Sequence, residues 1–118
     1  MKSLSIIITK PPFGTIHDAE AVRLANGALS YGHDVTVVLV GDGILLAKQG
    51  QKAEESGWTS LSPLLEKLAS STHGEVLVDA EAANEMGLTE NDLVAGVKLV
   101  ESEIISSKVA SSERTAVF

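Results

Sequence analysis

Two short β-branched runs, set one helix apart, constrain this chain more than anything else in it. Ser3–Thr9 (SLSIIIT) and Asp34–Val40 (DVTVVLV) are near-continuous apolar segments of the kind that strands covered on both faces require. Between them lies Lys10–Thr15 (KPPFGT), whose two prolines and glycine end the first run. There follow Ala21, Val22, Leu24, Ala25, Ala28 and Leu29 at helical spacing. Asp18 is placed to cap that helix and Gly32 to end it in the left-handed conformation. Strand, helix and strand in this order make a βαβ unit, so the two strands should run parallel.

The rest of the chain extends the pattern. Gly41-Asp42-Gly43 reads as a tight turn at the carboxyl end of the second strand, Ile44–Lys48 as a short helix and Gln49–Trp58 as a polar loop. Leu61–Ser70 is an amphipathic helix with Pro63 in its first turn, where no backbone N–H is needed. Glu75–Val78 is a third strand, and Ala80–Met86 a short helix stopped by Gly87. Thr89 is a good N-cap for a helix over Glu90–Lys98, with Asp92 completing something close to a capping box. Glu101–Ser111 reads as another helix, with Ile104, Ile105 and Val109 as core candidates, and Thr115–Phe118 as a closing strand. The predicted class is α/β: one domain over 1–118, with a parallel or mostly parallel sheet and helices on both faces.

Composition narrows the function classes. The chain's 118 residues suit one domain, and 44% hydrophobic content excludes disorder. Phe13, Tyr31, Trp58 and Phe118 are the only aromatic residues, so stacking on bases has little to work with. There is no cysteine, which excludes disulfides, thiolate nucleophiles, zinc-thiolate sites and iron–sulfur clusters. The net charge of −7 falls entirely in residues 51–118, a surface that repels a phosphate backbone; direct binding to nucleic acid is not expected. Leu4–Thr9 is too short for a signal peptide, and no apolar stretch reaches the roughly 18 residues of a membrane span. The expectation is a soluble, cytoplasmic protein with no membrane partner.

Open α/β sheets bind ligands beyond the carboxyl ends of their strands. Gly41-x-Gly43 follows a strand, but a dinucleotide fingerprint needs a third glycine where Leu46 stands, and no Gly-Lys-Ser/Thr follows; a tight turn is the plainer reading. Asp79 sits where receiver domains hold a phospho-accepting aspartate, yet Thr9-Lys10 stands in place of the acidic pair such domains need. Capping Ala80–Met86 is its plainer role. Asp79, Glu81 and Glu85 read as a solvated acidic face rather than a cation site. His17, His33 and His73 lack metal-ligand spacing; His17 alone falls at the carboxyl edge. No Gly-x-Ser-x-Gly elbow is present. Phe13-Gly14, ahead of a helix, could cradle an anion, although a turn glycine explains it as well. The candidate cleft is therefore Lys10, Phe13, Gly14, His17, Gly41, Asp42 and Asp79. No metal, cofactor or catalytic constellation is expected, which favours a binding or structural role over an enzyme.

Several segments together resemble a known family. They are Lys10–Gly14 (KPPFG), Ala19–Gly32 with Arg23-Leu24-Ala25, Gly32–Val37 (GHDVTV), and Gly41-Asp42-Gly43 followed by Ala47–Lys52 (AKQGQK). Gly87-Leu88, Glu90–Val97 (ENDLVAGV) and the closing Arg114–Phe118 continue the match. In order and spacing these are similar to the DsrE/DsrF-like family, over nearly the whole chain. The resemblance implies a single-domain, three-layer α/β/α fold with a mostly parallel five-stranded sheet. It also implies assembly as dimers, trimers or hexamers. In the TusD/DsrE branch it implies sulfur relay, in tRNA thiolation or sulfur oxidation, through a persulfide on a cysteine just after the third strand. Here Glu75–Ala82 (EVLVDAEA) sets Asp79 and Ala82 where many members have cysteines. Sulfur transfer needs a thiolate, so this chain cannot hold the persulfide itself. The resemblance further implies hetro-oligomers in which subunits without the cysteine partner cysteine-bearing relatives.

Three functional expectations follow. The first is a non-catalytic subunit or homo-oligomeric binding protein of sulfur relay. The second is an enzyme using Asp79 as general base or metal ligand, helped by Lys10 or His17. The third is a small-molecule or anion sensor built on the backbone amides of Phe13–Thr15 and Gly41–Gly43. Ala80–Met86 and Leu93–Val100, rich in small and aliphatic residues, are expected to leave apolar surface for subunit contacts, with Trp58 as a further contact.

Overall fold

Every strand of the sheet runs the same way. The computed structural model describes residues 3–10, 17–48 and 62–118, less the side chains of His17, Asp18 and Ser62. Its strands are β1 (Ser3–Ile8), β2 (Asp34–Leu39), β3 (Gly74–Asp79), β4 (Lys98–Val100) and β5 (Arg114–Val117). They lie in the order β4-β3-β2-β1-β5, and all four pairings are parallel. The helices are α1 (His17–Ser30), α2 (Ser62–Ser70), α3 (Ala80–Glu85) and α4 (Ser102–Ser111). The expected loop Gln49–Trp58, with Trp58 itself, and the segment holding Phe13 and Gly14 lie outside the described residues.

This order explains the layers. From β1 to β4 the chain steps across the sheet in one direction; from β4 to β5 it returns to the far edge. Right-handed crossovers then put α1 and α2 on one face and α4 on the other. The burial pattern agrees. Ile6, Ile8, Val35, Val37, Leu39, Val76 and Val78 point into one aliphatic core. Ala21, Val22 and Ala25 of α1 and Leu65 and Leu68 of α2 complete it, the latter pair set i, i+3 on one helix face. Each fully buried leucine or isoleucine there contributes about 1.5–3 kcal/mol of apolar transfer free energy.

Local signals place the ends of the elements. Gly32, at φ 86°, ends α1 in a Schellman motif: its N–H donates to Leu29 O at 3.0 Å and that of His33 to Ala28 O at 3.2 Å. α1 opens at His17, so Asp18 lies in its first turn rather than ahead of it. An acidic residue there still meets the positive end of the helix dipole.

Further expectations are corrected. The turn at Gly41–Gly43 and the helix at Ile44–Lys48 are one continuous 3-10 turn, Gly41–Ala47. The helix expected over Glu90–Lys98 is only a 3-10 turn, Glu90–Asp92. Beyond it the backbone finds partners elsewhere: Leu93 bridges to Lys48, and Val94 N–H donates to Ala47 O at 2.7 Å. The chain then enters β4, a strand that the residue pattern did not separate from the helix. Leu93, Val94 and Val97 consequently turn into the chain's own core instead of forming outward apolar surface. Lastly, α4 buries none of its residues, and Ile104, a core candidate, is 53% exposed.

Candidate functional site

A parallel sheet collects the carboxyl ends of its strands on one rim. Thr9 and Lys10 follow β1, Gly41 and Asp42 follow β2 by way of Val40, and Asp79 ends β3. The structure brings these four sequence-predicted positions, Lys10, Gly41, Asp42 and Asp79, to the same edge. Lys10 and Asp79 are nevertheless separated by β2, and strand spacing of about 4.8 Å sets their backbones roughly 10 Å apart. His17 opens α1 on the same side of the sequence pattern, but its side chain, like Phe13 and Gly14, lies outside the described residues.

Each rim position has a local reason. At Asp79 the chain passes directly from β3 into α3. Its half-buried side chain accepts from Glu81 N–H at 3.1 Å and Ala82 N–H at 3.4 Å, both at Oδ1. These are two of the amides that a helix start leaves unpaired. Gly43 is pressed against the end of β1: a Cβ there would lie 2.1 Å from Ile8 O. Gly43 thus serves close backbone approach, while Gly41 takes the left-handed conformation at φ 55° that opens the turn. Beside β1, Thr9 donates through both its N–H (3.0 Å) and its hydroxyl (2.7 Å) to Phe118 O. That closes the rim between β1 and β5, where the strand order reverses and α/β sheets open their ligand crevices.

The sheet's second face holds a polar cluster that the sequence reading did not single out. Glu75 of β3 accepts from Thr36 Oγ1 at 3.1 Å, and Lys108 Nζ of α4 stands 3.1 Å from the same Oε1. Lys98 Nζ of β4 lies 3.6 Å from Oε2. Burial pushes the Glu75 carboxyl up, but Lys108, Thr36 and Lys98 together hold it below its ordinary value. The signal in the sequence was a polar residue at alternate positions of otherwise apolar strands. At the amino rim, His73 Nδ1 lies 2.9 Å from Asp34 Oδ1; a carboxylate only accepts, so that nitrogen carries the proton. Thr89 and Asp92 form the expected capping box, and the Thr89 N–H and hydroxyl draw the Asp92 carboxyl below its usual range.

In the structure these groups hydrogen-bond and pair ionically with one another. Without a thiol, the chain offers no sulfur nucleophile. Among the described residues no three His, Asp or Glu side chains cluster so as to hold a metal ion, and no helix is long and apolar enough to cross a membrane.

Known proteins share both sequence and fold with this chain. It is 29% identical over 94 residues to the intracellular sulfur oxidation protein DsrF of Allochromatium vinosum, covering 80% of this chain and 69% of that one. It is 28% identical over 120 residues to the TusC homolog of Vibrio parahaemolyticus, with 100% of each covered. The crystal structure of the ychN protein from E. coli superposes on the whole chain with a TM-score of 0.88 at 20% identity, a likeness of fold. The model of the DsrE/DsrF-like family matches residues 2–118, and the chain belongs to that family.

Proposed function

We propose that this chain is an oligomeric, non-catalytic member of its family, a subunit or binding protein that serves sulfur relay beside cysteine-bearing relatives in the cytoplasm. One observation carries the reading: a domain matching the family over residues 2–118 has Asp79, not cysteine, at the end of β3, and uses it to cap α3. The position is occupied by a carboxylate with a structural task, and persulfide chemistry would have to come from a partner's thiol. The name of the relative DsrF, an intracellular sulfur oxidation protein, supports the link to sulfur metabolism. Exposed apolar side chains at Ile104 and Val117 support assembly with other subunits.

Native mass spectrometry of the protein drawn from its own host tests this reading. The expected species is a hetero-oligomer with a cysteine-bearing relative. After treatment with a persulfide donor, the added mass of sulfur should appear on the relative alone. A strictly monomeric protein at micromolar concentration, with no such relative attached, overturns the proposal.

A further inference from the structure

The helix on the second face of the sheet is attached mainly through polar groups. Its sheet-side stripe, Ile105, Lys108 and Val109, continued by Ser112, follows i, i+3, i+4, i+7 spacing, and none of the four is fully buried. Beneath it runs a polar row in strand register: Ser5 of β1 opposite Thr36 of β2, and Thr36 opposite Glu75 of β3. Ser5 and Thr36 are buried. Ser112 shares a hydroxyl–hydroxyl hydrogen bond with Ser5, and Lys108 pairs with Glu75. Glu75 is the junction, joined to β2 through Thr36, to β4 through Lys98 and to α4 through Lys108.

Two hollows flank this junction. One, of about 240 Å³, opens at the amino rim between Asp34, Thr36 and His73; the other, of about 460 Å³, lies toward β4 between Leu77, Lys98 and Ile104. Glu75, Lys108 and Ser111 line both, so the Glu75–Lys108 pair is the wall between them. The remaining charged groups facing the junction are Asp34 and His73 on one side and Glu103 on the other. α4 is also tethered at each end, since the strands before and after it, β4 and β5, are the two edges of the sheet.

We infer that α4 is a strap, anchored at its ends by the edge strands and clasped in the middle by the Glu75 cluster, whose release joins the two hollows into one groove beneath the helix. The energetics favour this. Lifting α4 exposes Val38 and Leu77 beneath it and the half-buried Ile105 and Val109, a smaller apolar surface than the core that lifting α1 or α2 would strip. The groove so opened has an amphipathic floor, with Leu77 and Val38 beside Thr36 and Glu75. Local openings of low cost are where ligand-responsive motions arise. The clasp is electrostatic and half-exposed, so added salt weakens it while leaving the aliphatic face intact.

Hydrogen exchange on the full chain tests the strap, using Glu75→Gln and Lys108→Met beside the native protein. In the native protein the amides of α4 should exchange faster than those of α1 and α2, and faster still in molar salt. In both variants α4 exchange should rise about fivefold, with α1 and α2 unchanged. Equal protection of α4 and α1 in the native protein overturns the inference. So does an unchanged α4 in both variants, or a parallel acceleration of all three helices, which would mean global loosening instead of a clasp.

Discussion

The two faces of this sheet are made from the same strands by opposite means. Along β2, Val35, Val37 and Leu39 enter an aliphatic core under α1 and α2, while Thr36, between them, faces Glu75 and α4. One face is closed by burial, which is non-directional and little affected by salt or moderate acid. The other buries only a small apolar patch, Val38 and Leu77, and is clasped by a few directional polar contacts whose strength depends on ionisation and ionic strength. Stability and responsiveness are thereby separated within one small layer architecture, because alternate residues of a strand serve different layers.

Substitutions on the two faces should therefore differ in cost. The largest effect is expected on the aliphatic face: Leu68→Ala should lower unfolding free energy by about 2–5 kcal/mol in urea titrations, through lost burial and a residual cavity. Gly43→Ala should cost about 1–3 kcal/mol by the same measurement, since its Cβ would meet Ile8 O and the turn must shift. On the α4 face, Ile105→Ala should cost only about 1 kcal/mol or less, because that side chain is half-buried. At the carboxyl rim, Asp79→Ala should cost about 1 kcal/mol, whereas Asp79→Asn, which caps equally well, should be nearly neutral in thermal melts.

The smallest effect is the pH dependence that Glu75 gives the polar face. The Glu75 pKa is lowered from 4.5 in the folded protein. Its contribution is therefore fully present above about pH 4.5 and is lost as pH falls through the lower folded value. Exchange measured down through this range should show α4 loosening before α1, and Glu75→Gln should flatten the difference.

Much of this was legible in the chain. β1, α1, β2, α2 and β3 follow from apolar period and from stop signals such as Gly32, and Asp79 could be read as a cap from its place before Ala80. β4 was not legible from the pattern of residues, because Lys98–Val100 is three residues long and continues the helical spacing of Val94 and Val97. Gly96, at φ 89°, marks the break, and a glycine inside that run was the available signal. The Glu75 cluster was hidden for a different reason. Ser5, Thr36 and Glu75 are far apart in sequence, and only strand register sets them in one row. Likewise Lys10 and Asp79 share a rim, but the chain order does not say that β2 stands between them.

The strand order has a consequence for how the fold is reached. β1 is interior to the sheet, yet its outer partner is β5, and the contacts that flank this pairing are among the most remote in the chain: Ser5 to Ser112, just before β5, spans 107 residues, and Thr9 to Phe118, just past the two strands, spans 109. Until Arg114–Val117 docks, the row of N–H and C=O groups on that side of β1 is an open, apolar edge. Closing it requires a long loop to be ordered before the pairing rewards it, which slows folding. A nascent or C-terminally trimmed chain would thus carry a ready template for pairing with its own neighbours, and the short β5 acts as the seal against aggregation.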